Sequence, residues 1–104
     1  MAFTGKEKHK ITLATASKLT RNHRASAGNN AIKGQFFGKE TLLRILDQEG
    51  CVGIRCYFGK TDDGKPSLVL VGVDKDQNDI IKGELADMGT FCPPFCSVTN
   101  KLNS

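Results

Sequence analysis

Cys92-Pro93-Pro94-Phe95-Cys96 sets two thiols four residues apart around a tandem proline. Sulfurs that close can form a disulfide, exchange with a partner thiol, or supply half of a soft metal site. Proline holds φ near −65°, so the intervening loop is nearly preformed for bridging. Closing so small a ring constrains the unfolded chain by about 2 kcal/mol on the loop-entropy account. The usual redox signature is different: Cys-x-x-Cys at the start of a helix that follows a strand. The competing reading makes Phe91 and Phe95 an apolar flap, with the two thiols packed as small hydrophobes. The flap is the favoured reading, and Cys92 with Cys96 is the candidate thiol site.

Two further cysteines raise the question of zinc. Cys51 and Cys56 are five residues apart, which on a regular strand turns them to opposite faces, away from any shared tetrahedral ion. Only a bulge at Gly53 would reset that alternation. Neither cysteine pair has the two-residue spacing of a zinc knuckle, so no metal ligands and no cofactor are assigned. Asp74-Lys75-Asp76-Gln77-Asn78 copies the opening of a calcium loop, but Asp79 stands where glycine is required and Leu85 where a bidentate glutamate is required. An acidic hairpin turn explains it better. His9 and His23 are the two histidines, and His23 falls at helical spacing from Leu19 and Ala16, as a helix-edge residue. Without a nucleophile setting or a Gly-rich phosphate loop, no catalytic residue is assigned and a non-enzymatic protein is the preferred reading, with an acid–base pair assembled from distant positions left open.

Charge narrows the range of partners. The chain of 104 residues carries a net charge of +4. Residues 1–24 hold Lys6, Lys8, Lys10, Lys18, Arg21 and Arg24 against Glu7, while the remainder holds nine basic and ten acidic side chains. Such a region attracts phosphates without specificity. A solvated basic face is the plainer reading, and nucleic acid is the lesser alternative. No apolar run approaches the roughly 18 residues of a membrane helix, and no apolar block follows the early lysines. A cytoplasmic protein is therefore expected.

These residues need elements to hold them. Residues 1–10 read as a flexible basic arm and 11–104 as a single α+β domain. Thr12 is a candidate N-cap for a helix reaching about Arg24, with Leu13, Ala16, Leu19, Thr20 and His23 on one face. Residues 25–33 read as a loop, and Phe36 with Phe37 as core anchors. Leu42, Leu43, Ile45 and Leu46 mark a second helix over 39–48, ended near Gly50. Residues 51–59 and 67–74 flank a turn-rich segment and read as a hairpin. In the first strand Val52, Ile54, Cys56 and Phe58 point one way and Cys51, Gly53, Arg55 and Tyr57 the other. A third strand over 79–85 would complete the meander. The architecture expected is two N-terminal helices packed on a three-stranded antiparallel meander, with a Cys-Pro-Pro-Phe-Cys tail. Two helices are few for a sheet apolar on both faces, so Val69, Val71 and Val73, or Phe91 and Phe95, are candidate interaction residues. The occupant would be an unknown protein or a second copy in a homodimer.

Gly50-Cys51-Val52-Gly53-Ile54-Arg55, Leu68-Val69-Leu70-Val71-Gly72-Val73-Asp74 and Cys92-Pro93-Pro94-Phe95-Cys96-Ser97 together resemble segments of a group of small bacterial proteins of about this length. The resemblance covers most of residues 11–97. It implies a shared chain layout, and it assigns no activity. A small non-enzymatic interaction protein is the function expected, with thiol chemistry at Cys92 and Cys96, or weak nucleic-acid binding through the basic region, as alternatives.

Overall fold

A computed structural model describes residues 2–28, 31–87 and 89–103. In chain order the elements are α1 (Leu13–Ala27), β1 (Gly34–Phe36), α2 (Lys39–Leu46), β2 (Cys51–Lys60), β3 (Pro66–Asp74), β4 (Leu85–Ala86) and β5 (Thr90–Cys92). The protein is thus mixed α+β, with a three-stranded antiparallel sheet and a second sheet of two strands. It divides into two compact units. Met1–Lys8 and Phe37–Gly89 form a meander unit; His9–Phe36 and Thr90–Ser104 form the other.

In the meander unit the strand order is β2-β3-β4. The β2–β3 hairpin closes through Thr61, whose amide donates to the Lys65 carbonyl and whose hydroxyl accepts from the Lys65 amide. Gly64 takes φ +92°, a conformation glycine adopts without steric cost. At the next turn one oxygen of the Asp74 carboxylate accepts the amides of Asp76 and Asn78. The acidic cluster there is a side-chain-capped turn.

The third strand departs from the sequence expectation. Val73 bridges Asp79, but Val71 then pairs with Leu85, where uninterrupted pairing would have reached Ile81. The chain loops out between these points, turning at Gly83, whose amide donates to Ile80. The strand expected over 79–85 therefore shrinks to Leu85–Ala86.

β2 also carries an irregularity. Cys51 pairs with Asp74 and Gly53 with Val73, so Val52 is an extra residue on β2. From Gly53 onward Arg55 faces Val71 and Tyr57 faces Val69, while Ile54, Cys56 and Phe58 pair with Gly72, Leu70 and Leu68. Opposed residues project to the same side. Cys51, opposite Asp74, thus joins the face that carries Gly72 and Leu70 (and with them Cys56), which corrects the expectation that the two thiols lie on opposite surfaces.

α2 packs on that face. A Cβ on Gly72 would lie 3.3 Å from Ile45 Cγ2 and 3.0 Å from Cys51 Sγ. The core of the unit is Ile45, Leu70, Val71 and Val73, all buried. A helix of eight residues spans only about 12 Å, against about 33 Å for the ten-residue β2. The hairpin end of the sheet outruns it, and Phe58 is left 94% exposed.

At the start of the chain Glu7 folds back to accept the amides of Thr4 and Gly5 and the Thr4 hydroxyl. Backbone hydrogen bonding, from Thr4 above all, holds its carboxyl below the ordinary value of 4.5. Because the folded turn favours the ionised form, its contribution is complete above pH 4.5 and is lost as pH falls through the lower folded value. An NMR titration of the Glu7 carboxyl is expected to give a midpoint below 4.5, and a midpoint at or above it would contradict the turn.

In the second unit β1 and β5 pair antiparallel, with Gly34 opposite Cys92 and Phe36 opposite Thr90. Thr12 caps α1 as expected, its side chain accepting from the Thr15 amide. The helix runs three residues beyond the expected Arg24, to Ala27. Its docking face also differs. Leu13 and Leu19 are exposed, and the buried position is Ser17. Ser17 donates to the Lys101 carbonyl, and Arg24 to the Leu102 carbonyl. The C-terminal segment has no ladder partner for those carbonyls, so a polar helix face satisfies them. This reverses the apolar-face expectation. Within the same segment the side chains of Asn100 and Asn103 cap their own turn.

Candidate functional site

Three clusters bring together side chains capable of chemistry. The first lies on the meander unit. Arg55 and Tyr57 are two residues apart on β2 and so share a face. Both reach Asp79, Arg55 through Nη1 and Tyr57 through its hydroxyl. Hydrogen bonding with Tyr57, and then with Asp79, holds the Arg55 guanidinium further above its ordinary range. Asp79 belongs to the segment beyond β3, so the two side chains cross the Val71–Val73 strand to meet it. The cluster satisfies itself: each carboxylate oxygen already accepts a donor. It acts as a clasp between the outer strand and the returning chain.

The sheet face expected to take a partner lies in the same region. Val69 is half-buried, while Val71 and Val73 are 2% and 3% exposed. Val71 and Val73 therefore present almost no surface to a docking protein. Cys51 and Cys56, now on one face, stand opposite Asp74 and Leu70. Four residues along a strand is about 13 Å, beyond the reach of a disulfide or a single tetrahedral ion. Cys51 donates to the Gly53 carbonyl, and Cys56 is exposed. Among the described residues no three of His, Cys, Asp and Glu converge as a metal site.

The other two clusters belong to the second unit. Cys92 and Cys96 are joined in a disulfide, so the thiol candidate exists in its oxidised form, which replaces the expectation of two packed thiols. The five-residue ring projects Phe95, which is 72% exposed; Phe91, on β5, is half-buried. Phe36, expected as a core anchor, is 67% exposed at the end of β1, and Phe37 is half-buried. Phe36 and Phe95 line one open groove of about 430 Å³, together with Lys33, Cys96, Asn100 and Leu102.

The third cluster lines a recess of about 300 Å³ formed by Ala14, Ser17, Arg21, Arg24 and Lys101. Ser17 organises it, accepting from Arg21 Nη1 while donating to the Lys101 carbonyl. The groove and this recess share the turn at residues 100–103 as a wall. Lys33 reaches the same turn, donating to the Asn103 carbonyl. His23 is engaged elsewhere, its Nε2 donating to the Ile32 carbonyl.

Charge separates the units more sharply than it separates the ends of the sequence. The second unit holds Lys10, Lys18, Arg21, Arg24, Lys33 and Lys101 and no aspartate or glutamate. All eleven acidic residues fall in the meander unit, with nine basic ones. Among the described residues, none of those six cations is in an ion pair within 4.0 Å. Lys6 and Lys8, expected to act with Arg21 and Arg24, belong to the other unit. Lys33, Lys101 and Phe36 were not legible as site residues, though the sequence holds a pointer: no acid occurs between Glu7 and Glu40, nor after Asp87.

No helix among the described residues is long and apolar enough to cross a membrane. Comparison with protein-family models, curated proteins and solved structures finds no match.

Proposed function

We propose that this is a non-enzymatic binding protein whose recognition surface for a polyanion is the unit of residues 9–36 and 90–104. The observation that supports it is the composition of that unit: six cations, no carboxylate side chain, and two arginines converging with Lys101 on one recess. An uncompensated basic surface raises the local concentration of anionic partners and speeds their capture. Arginine also matches phosphate geometry with a planar fork of donors. Self-association through the Val69–Val71–Val73 face has less in its favour, because two of the three side chains are buried.

The test is binding to a polyphosphate chain as a function of salt. With about four or five anionic contacts, log K is expected to fall against log salt with a slope of roughly −3. Removing residues 2–8 should leave binding intact, since Lys6 and Lys8 lie outside the basic unit. Lys10→Glu with Lys18→Glu, both exposed, should weaken it by about tenfold or more, as should Arg21→Glu with Arg24→Glu. Binding lost with residues 2–8, or unchanged by both charge reversals, would sink the reading.

A second reading, thiol–disulfide exchange, is favoured by one observation: the Cys92–Cys96 disulfide closes a short ring whose Cys96 is exposed. A partner thiolate would attack one sulfur, forming a mixed disulfide and releasing the other as a thiolate; a second partner thiol would complete the two-electron reduction. Thiol titration is expected to count two groups in the native protein, Cys51 and Cys56, and four after chemical reduction. Four groups without reductant would remove this reading, as would a disulfide that a dithiol peptide leaves unreduced.

A further inference from the structure

We infer that the polyanion is single-stranded nucleic acid, with bases stacked on Phe36 and Phe95 and phosphates following the cations of the same unit. The inference rests on the polyanion reading above and names the chemistry of its partner.

The rings carry the argument. Charge alone explains Arg21, Arg24 and Lys101, but it gives no reason for two phenyl groups, 67% and 72% exposed, to line one groove. Exposed aromatic side chains beside cations are the means by which proteins hold unpaired bases: every base has a π-face, and the backbone it hangs from is anionic. Both rings stand on short, tied supports. Phe36 ends a strand paired to β5, and Phe95 sits within the disulfide ring, its amide donating to the Phe91 carbonyl.

The layout suits a strand threading past both recesses. The phenyl-lined groove and the arginine recess lie on either side of the turn at 100–103, with Lys33 on the groove wall and Lys101 on the recess wall. Bases in the first would leave phosphates within reach of the second. A duplex fits less well, because its base faces are already stacked on one another. A lipid bilayer also attracts cations and aromatic groups, but the rings share their groove with Lys33, Asn100 and Asn103, whose polar groups suit a base edge and not an acyl chain.

Fluorescence anisotropy with a labelled oligothymidylate of about 12 nucleotides tests the inference, with a duplex of the same length, a polyphosphate chain, an acidic phenylalanine-containing peptide and phosphatidylserine vesicles as comparison arms. The single strand is expected to bind more tightly than any of these. Phe36→Ala and Phe95→Ala should each weaken it on the order of tenfold while leaving polyphosphate binding and its salt slope unchanged. Both side chains are exposed, so folding should survive, and Phe36→Tyr with Phe95→Tyr should restore binding. If the oligonucleotide binds no better than polyphosphate and ignores the alanine variants, the stacking inference is overturned while the polyanion reading stands. Tighter, phenylalanine-dependent binding of the peptide or the vesicles overturns it in favour of a protein or membrane partner. If none of the probes binds, both readings fall together.

Discussion

Ile45→Ala is expected to lower the stability of the meander unit by about 3 kcal/mol, within the 2–5 kcal/mol typical of large-to-small changes at buried aliphatic sites. Ile45 is the largest fully buried side chain among the described residues, at 1% exposure. Its Cγ2 packs over Gly72, where it anchors α2 to the sheet. Leu43 and Leu46 on the same helix are both 43% exposed and belong to the rim. They cannot rotate in to fill the space without stripping their own partial cover, so the cavity would persist. Urea unfolding followed by circular dichroism measures the loss, with Leu43→Ala as the internal comparison at less than half the effect. A change below about 1 kcal/mol for Ile45→Ala would show that α2 does not depend on this contact.

Gly72→Val should cost nearly as much, about 2–3 kcal/mol, through crowding instead of a cavity. A Cβ at this position would come within 2.8 Å of Gln48 Nε2 and 3.0 Å of Cys51 Sγ. Gln48 is poorly able to yield. Its Nε2 donates to the Ile45 carbonyl at the end of α2, and its Oε1 accepts the Glu84 amide ahead of β4. Displacing it breaks both bonds, leaving groups that need new partners. Combining Gly72→Val with Gln48→Ala should therefore cost less than the sum of the single changes. Strict additivity in that cycle would place the clash elsewhere.

The hairpin was the most legible part of the sequence. Alternating apolar residues, a Gly-containing turn and β-branched strands all pointed to the same pairing, and each signal is local. The N-cap at Thr12 was legible for the same reason, since a cap needs only a hydroxyl three residues before an open amide. The bulge at Val52 was legible only as an alternative, raised at the neighbouring Gly53, and the regular strand was preferred. It depends on how Cys51 is held opposite Asp74, a contact more than twenty residues away in sequence, and it alone moved Cys51 to the face of Cys56. The short third strand was misjudged for a related reason: Ile80 and Ile81 suit a strand, but pairing lapses after Asp79 and resumes only at Leu85, beyond the turn at Gly83.

The candidate site shows the same division. Cys92 and Cys96 were recognisable because five residues with two prolines constrain their own geometry; that the pair is oxidised was left open by the spacing. Phe36 and Phe95, fifty-nine positions apart, become neighbours on one groove only because β1 pairs with β5. Arg21 and Arg24 were visible as charges on a helix, whereas Lys101 joins them through the hydrogen bond from Ser17 to its carbonyl.

By itself, the amino-acid order determined what short-range chemistry can settle: helix α2, the β2–β3 hairpin, the acidic turn after Asp74 and the absence of acids from two long stretches. Tertiary structure alone decided that those two acid-free stretches form one basic unit, that Val71 and Val73 are buried, and that two distant phenyl rings share a groove. Local propensities act over a few residues, but which surfaces remain in water depends on contacts between segments remote in sequence, and those contacts have no local signature.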